Sequence, residues 1–215
     1  MRGRTVAWAT QLADGTDVVI RHSHHGGALA RLTRDLFLAP SRAPYELAAS
    51  LRLHASGVHT PDVIAYVTYA AIGPLCRADV ATALVPGADF PAAWAADRSP
   101  PGRAAIVDAV GALLCSLQAA GAHHPDLNAK NVLVSGSDDS LAAWVLDVDR
   151  VAFSRRGDHA VGHRNTQRLL ASLRKWNTLH GLDFGDADAE RLLSSARNAD
   201  VARSTPEQRT GMESP

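Results

Sequence analysis

The chain has 215 residues and 22.8 kDa, with 22 Lys+Arg balanced by 22 Asp+Glu, 46% hydrophobic and 20% charged residues. That is the composition of a chain able to bury a core in one or two units, and it excludes a mostly disordered protein, a collagen-like repeat and an acidic solvating tail. Zero net charge argues against a nucleic-acid partner.

In chain order, Thr5 to Leu12 reads as a strand, Asp14-Gly15 as a turn, and Asp17 to His22 as a second, β-branched strand with Arg21 near its end. After Gly26-Gly27, residues Ala28 to Leu38 suggest a helix, with Arg31 and Arg34 three apart on one face. Pro44 fits the first turn of the next helix, Leu47, Ala48, Leu51 and Ala55 keep its period, and Gly57 ends it, which places Glu46 in the first turn. Val63 to Ala71 and Cys76 to Val85 read as strands separated by Gly73-Pro74 and closed by the hinge-like Pro86-Gly87.

Pro101 to Ala120 is the best-marked helix, with Ile106, Val110, Leu113, Leu114 and Leu117 at helical spacing and Gly121 at its stop. Val132 to Val134 and Ala143 to Asp147 flank the polar Ser-Gly-Ser-Asp-Asp-Ser segment as a hairpin. A helix carries Leu169, Leu173 and Trp176, and a last one spans Asp186 to Ala196. Residues 204–215 are expected to be a disordered tail, and no internal repeat is present. The order predicts an α+β fold with a small sheet-rich lobe over 1–86 and a helical lobe over 87–203. No apolar run reaches the roughly 18 to 20 residues of a membrane span, and Asp14 and Asp17 interrupt any apolar leader, so a cytosolic protein is expected. Cys76 and Cys115 lack a CxxC partner and read as core residues.

The most specific segment is His124-Pro125-Asp126-Leu127-Asn128-Ala129-Lys130-Asn131, of the form H-x-D-x-x-x-x-N, followed by an apolar strand. Leu146-Asp147-Val148-Asp149 repeats the apolar-then-Asp pattern downstream. Phosphoryl transfer needs a carboxylate to orient the attacking hydroxyl and accept its proton, and hard oxygen ligands for Mg2+ on the phosphates. On this reading Asp126 is the base, and Asn131 and Asp147 hold the metal. The plainer alternative has Asp126 and Asn128 capping a turn, with Asp147 and Asp149 bounding a strand; the intact spacing favours the first.

These residues resemble the 3-deoxy-D-manno-octulosonic acid (Kdo) kinase family, the kinase-like sugar kinases of lipopolysaccharide core assembly. His124 to Asn131 matches its catalytic loop, and Leu146-Asp147-Val148-Asp149-Arg150 its strand exit. Ile20-Arg21-His22, Gly26-Gly27 and Ala30-Arg31-Leu32 match an amino-terminal signature, continued by Arg34-Asp35 and Phe37; Glu46 and Arg77-Ala78-Asp79 also fall in place, over roughly residues 2 to 197. The resemblance implies a protein-kinase-like fold and transfer of the γ-phosphate of ATP, with Mg2+, to a hydroxyl of a lipid-linked Kdo acceptor (a Kdo-lipid A precursor). Arg21 would take the place of the strand lysine that meets the α/β-phosphates, with Glu46 as its partner. The setting implied is cytoplasmic, with peripheral contact at the cytoplasmic face of the inner membrane. Other acceptors, such as a heptose or a small molecule, and an inactive pseudokinase that only binds, stay open. Among further signals, His22, His24 and His25 could gather a metal; Arg31, Arg34 and Arg42 could face an anionic lipid surface; and Asn165, Arg168 and Ser172 could touch the acceptor.

Overall fold

The computed structural model of the chain describes residues 7–23, 35–39, 41–137 and 140–204, the side chains of 198–204 excepted. Its first part is an antiparallel sheet built around one long strand. Asp14 Oδ1 accepts the Thr16 N–H at 2.9 Å and closes the turn between β1 (Ala7–Gln11) and β2 (Asp17–His22). A two-residue β3 (Phe37–Leu38) follows, then α1 (Ala43–His54), β4 (Val63–Ala70) and β5 (Leu75–Ala83). β5 is the spine: β2 pairs with it from Val18↔Ala83 to His22↔Asp79, β3 through Phe37↔Cys76, and β4 through a long antiparallel register. Cross-strand pairing puts Arg21 opposite Val80, and Ala78 and Val80 pack with Ala43 of α1 and with Val63. Period-two alternation thus turns Arg21 toward the face that α1 covers.

The second part is helical. A short β6 (Ala88–Asp89) leads into α2 (Phe90–Ala96), capped by Asp89, whose carboxylate accepts the Ala92 N–H at 3.0 Å. Then come α3 (Pro100–Ala120), β7 (Ala122–His123), β8 (Val132–Ser135), β9 (Ala142–Val145), β10 (Ala152–Phe153), α4 (His159–His180) and α5 (Asp186–Ser204). β6, β8 and β9 form one small sheet, and β10 pairs with β7. The core centres on α3, whose Val107, Val110, Leu114 and Leu117 are buried with Leu169 and Leu173 of α4 and Leu192 of α5. Phe90, Trp94 and Phe184 add a ring cluster with centroids 5.2–5.8 Å apart. Both cysteines are buried, and neither is in a disulfide.

Two glycines fix the chain path. Gly87, in the connection between the two parts, has φ +155°, and a Cβ there would lie 2.3 Å from the Val134 carbonyl oxygen. Gly121 ends α3 in the left-handed region at φ +66°, with the Ser154 and Arg155 carbonyls against it.

Three expectations change. Phe37 and Leu38 are a strand rather than the end of a helix, because β5 offers them a register that outweighs local propensity; residues 28–34 of that segment, with Arg31 and Arg34, lie outside the described residues. α3, at 21 residues with a mean hydropathy of 1.4 over eighteen of them, is long and apolar enough to span a membrane, contrary to the sequence reading, yet it is the central core helix. The last helix continues to Ser204, and 205–215 lie outside the described residues.

Candidate active site

The site is built where β2, α1, the segment after β7 and the exit of β9 meet. Arg21 joins three of them. One of its Nη groups donates to Glu46 Oε1, and the other to Asp147 Oδ1 at 2.9 Å. Glu46 is 5% exposed on the face of α1 that also buries Ala43, Ala49, Ser50 and Leu53. Asp147 follows β9 in the left-handed region, at φ 59° and ψ 54°, which swings its carboxylate back toward Arg21. Two residues on, Asp149 meets Arg42 at 3.3 Å.

The electrostatics are lopsided: three carboxylates, Glu46, Asp147 and Asp149, share Arg21. Burial pushes the Glu46 carboxyl up to about 7, with Asp147 and Asp149 adding to the rise and Arg21 opposing it. Burial and Asp147 likewise raise Asp149. Burial disfavours the Arg21 charge, but Glu46 and Asp147 outweigh it and hold the guanidinium ionised.

The loop from His124 to Asn131 is held from beneath. His124 is 1% exposed; its Nδ1 accepts the Asp126 N–H at 3.2 Å, and its Nε2 lies 3.0 Å from the Leu146 carbonyl. Only the neutral tautomer protonated on Nε2 serves both partners. One buried ring therefore ties the loop to the strand exit that carries Asp147. The Asp126 carbonyl accepts from Asn131 Nδ2 at 2.9 Å and from Asn128 Nδ2 at 3.2 Å, while Asn128 Oδ1 accepts the Lys130 N–H. Those bonds turn Asn131 Oδ1 away from the loop, where it accepts nothing among the described residues, leaving it as a hard oxygen donor near Asp147.

Three polar side chains on α4, at i, i+3 and i+7, grip the same loop. Asn165, fully buried, accepts the His124 N–H at 3.0 Å and donates to the Ala122 carbonyl at 2.8 Å. Arg168 Nη2 donates to Asp126 Oδ1 at 2.7 Å and its Nε to the Pro125 carbonyl at 3.2 Å. Ser172 Oγ accepts the Ala129 N–H at 3.0 Å. The sequence reading offered these three as acceptor contacts; the fold bonds all three to the His124–Asn131 loop. The signal was present as a polar stripe on a helix whose neighbouring positions, Leu169 and Leu173, are buried and apolar. Sequence reasoning missed Asp89, whose carboxylate pairs with Lys130 Nζ and so pins the loop to the start of α2.

A cleft of about 420 Å³ opens beside these groups, lined by apolar side chains (Val19, Val63, Leu133) and by polar ones (Arg21, Asn131, Asp147). Apolar walls for a base together with charged groups for phosphates suit a nucleotide. Arg21, Glu46, Asn131 and Asp147 all line it; Asp126 is outside its lining and is tied to it by the bond from Asn131 Nδ2 to its backbone carbonyl. Of the three histidines, His22 lies between Asp79 and Asp35, with Asp79 also accepting from Tyr69 at 2.8 Å, and His24 and His25 lie outside the described residues.

The chain is similar to known proteins in sequence and in fold. A family model described as the lipopolysaccharide kinase (Kdo/WaaP) family matches residues 1–195. A 3-deoxy-D-manno-octulosonic acid kinase of Pasteurella multocida is 30% identical over 206 residues, covering 90% of this chain and 81% of that one. The enzyme of the same name from Stenotrophomonas maltophilia K279a is 32% identical over 197 residues, 88% and 74% of the two chains. A solved structure of WaaP in complex with acyl carrier protein superposes with a TM-score of 0.60 at 20% identity, over 92% of this chain and 78% of that one.

Proposed function

The chain belongs to the lipopolysaccharide kinase (Kdo/WaaP) family, an ATP-using phosphotransferase with a kinase-like α+β fold, and from that premise we propose that it transfers the γ-phosphate of ATP to a hydroxyl of lipid-linked Kdo. The observation that carries the reading is Arg21 bridging Glu46 and Asp147 in a cleft that Asn131, the last residue of the His124–Asn131 loop, also lines. An assembled set of this kind favours turnover over a binding-only role. The name of the relatives supports Kdo as the acceptor sugar.

In this mechanism the adenine base lies between Val19, Val63 and Leu133, and Arg21 reaches the α/β-phosphates while Glu46 fixes its direction. Asp126 orients the acceptor hydroxyl and takes its proton as the oxygen attacks the γ-phosphorus. Asn131 Oδ1 and the Asp147 carboxylate would hold Mg2+, which supplies charge neutralisation on the phosphates. Among the described residues no group of three His, Cys, Asp or Glu side chains could hold a metal alone, which fits an ion bound by one or two protein oxygens and completed by phosphate and water. A lipid-linked acceptor and the use of ATP support work at the cytoplasmic face of the inner membrane, in peripheral contact.

The test is transfer of label from ATP, with Mg2+, to a Kdo-bearing lipid A precursor by the wild type and by Asp126→Ala. The expected result is a loss of about 10²- to 10⁴-fold in the variant with ATP binding retained. Wild-type activity on a different acceptor alone would refute the Kdo reading.

A further inference from the structure

Every polar backbone and side-chain atom of Asp126 but one is already committed. Its N–H goes to His124 Nδ1, its carbonyl to Asn128 and Asn131, and its Oδ1 to Arg168. Among the described residues Oδ2 alone accepts no hydrogen bond. We propose that Arg168 is a positioning residue of the phosphotransfer reaction: it clamps Oδ1 so that Oδ2 alone, in a fixed direction, faces the attacking hydroxyl.

Two features of the contact carry this. First, the arginine is itself immobilised as a fork, with Nη2 on Asp126 Oδ1 and Nε on the Pro125 carbonyl, so it fixes the carboxylate relative to the loop backbone. Second, the pair lies open to solvent, with side-chain exposures of 45% and 44%. An exposed pair of this kind contributes little to folding, so a stability role does not account for it. A carboxylate free to spin about its last bond would offer either oxygen and spend time misdirected, and small misplacements of a reacting group cost large factors in rate.

This inference rests on Asp126 being the base of the proposed reaction. In the step it governs, the acceptor oxygen forms a bond to the γ-phosphorus, the bond from that phosphorus to the bridging oxygen breaks, ADP leaves with the electron pair, and the hydroxyl proton passes to Asp126 Oδ2.

The experiment is a double-mutant cycle with Arg168→Ala, Asp126→Ala and the double variant, together with Arg168→Lys. Each is read as kcat, KM for ATP and melting temperature. It is run both on the Kdo-lipid acceptor and on the slow hydrolysis of Mg-ATP, in which water takes the acceptor's place. A wild type that hydrolyses ATP but leaves the lipid untouched counts against the proposed acceptor, and the cycle is then read on hydrolysis. Arg168→Ala is expected to lower kcat by about tenfold to a hundredfold, with KM for ATP and melting temperature unchanged. It should add no more than about twofold in the Asp126→Ala background, because residues acting through one another are not additive. Lysine should not restore the rate, since one ammonium cannot reproduce the two-point fork. An equal loss in both backgrounds, full rescue by lysine, or unchanged kcat in Arg168→Ala would each overturn the inference.

Discussion

Replacing Glu46 by glutamine should make the free protein more stable at alkaline pH while impairing it as an enzyme. Burial raises the Glu46 carboxyl from the ordinary 4.5 of a glutamate to about 7, against the pull of Arg21. The folded state therefore binds this proton more tightly than the unfolded state does. The stabilisation is complete below pH 4.5, and it is lost as pH rises through about 7. At 1.36 kcal/mol per pH unit the loss is about 3 kcal/mol. Glutamine keeps the shape and stays neutral, so at pH 8 Glu46→Gln should regain most of that. For a chain of this length the gain corresponds to a rise of about 6–12 °C in melting temperature. At pH 4.5 and below the two proteins should melt nearly together. Melts followed by circular dichroism without nucleotide, from pH 4 to pH 8.5, measure both limbs. Turnover should fall, because Arg21 loses the charged partner that fixes its direction. A Glu46→Gln protein less stable at pH 8, or stabilised equally at both ends of the range, would refute the argument that desolvation dominates this carboxyl.

Two other substitutions probe the scaffold. Asn165→Ala leaves the His124 N–H and the Ala122 carbonyl buried without their partner, and should cost about 2–5 kcal/mol in urea unfolding; because the catalytic loop hangs from that bond, kcat should fall in the surviving folded protein. Gly87→Ala drives a methyl group to 2.3 Å from the Val134 carbonyl oxygen, which is backbone and cannot rotate away, in a conformation that disfavours side chains. A loss of about 1–3 kcal/mol is expected, with a weaker KM for ATP because Gly87 lines the cleft.

The sequence exposed those parts of the site whose geometry follows from short-range periodicity. Strand alternation directed Arg21, and the five-residue spacing of Asp126 and Asn131 survived as a loop stitched by its own amides; the apolar period read along α1 did not mark its buried face, because Ala48, Leu51 and Ala55 are exposed while Glu46, Ala49, Ser50 and Leu53 turn inward. What it hid depends on chain segments far apart. The Arg168–Asp126 bond spans 42 positions and the Lys130–Asp89 pair 41, and no local pattern reports either. The same limit explains β3, a strand of two residues that exists because Cys76 is opposite Phe37. It also explains α3, whose apolar length suits a membrane span and a core helix equally until its neighbours are known.

The Arg21–Asp147 bond has a consequence for how nucleotide enters. In the free protein the guanidinium already holds an anion at 2.9 Å, so the cleft is occupied by its own counterion. On the proposed reading, phosphates that reach Arg21 compete with that carboxylate, which makes binding an exchange of one anion for another. Affinity for ATP is then set by a difference between two attractions, and it gains whatever new partner Asp147 finds once released. Such a place-holder also keeps Arg21 extended and charged between turnovers, so the arm that receives the phosphates is poised before they come.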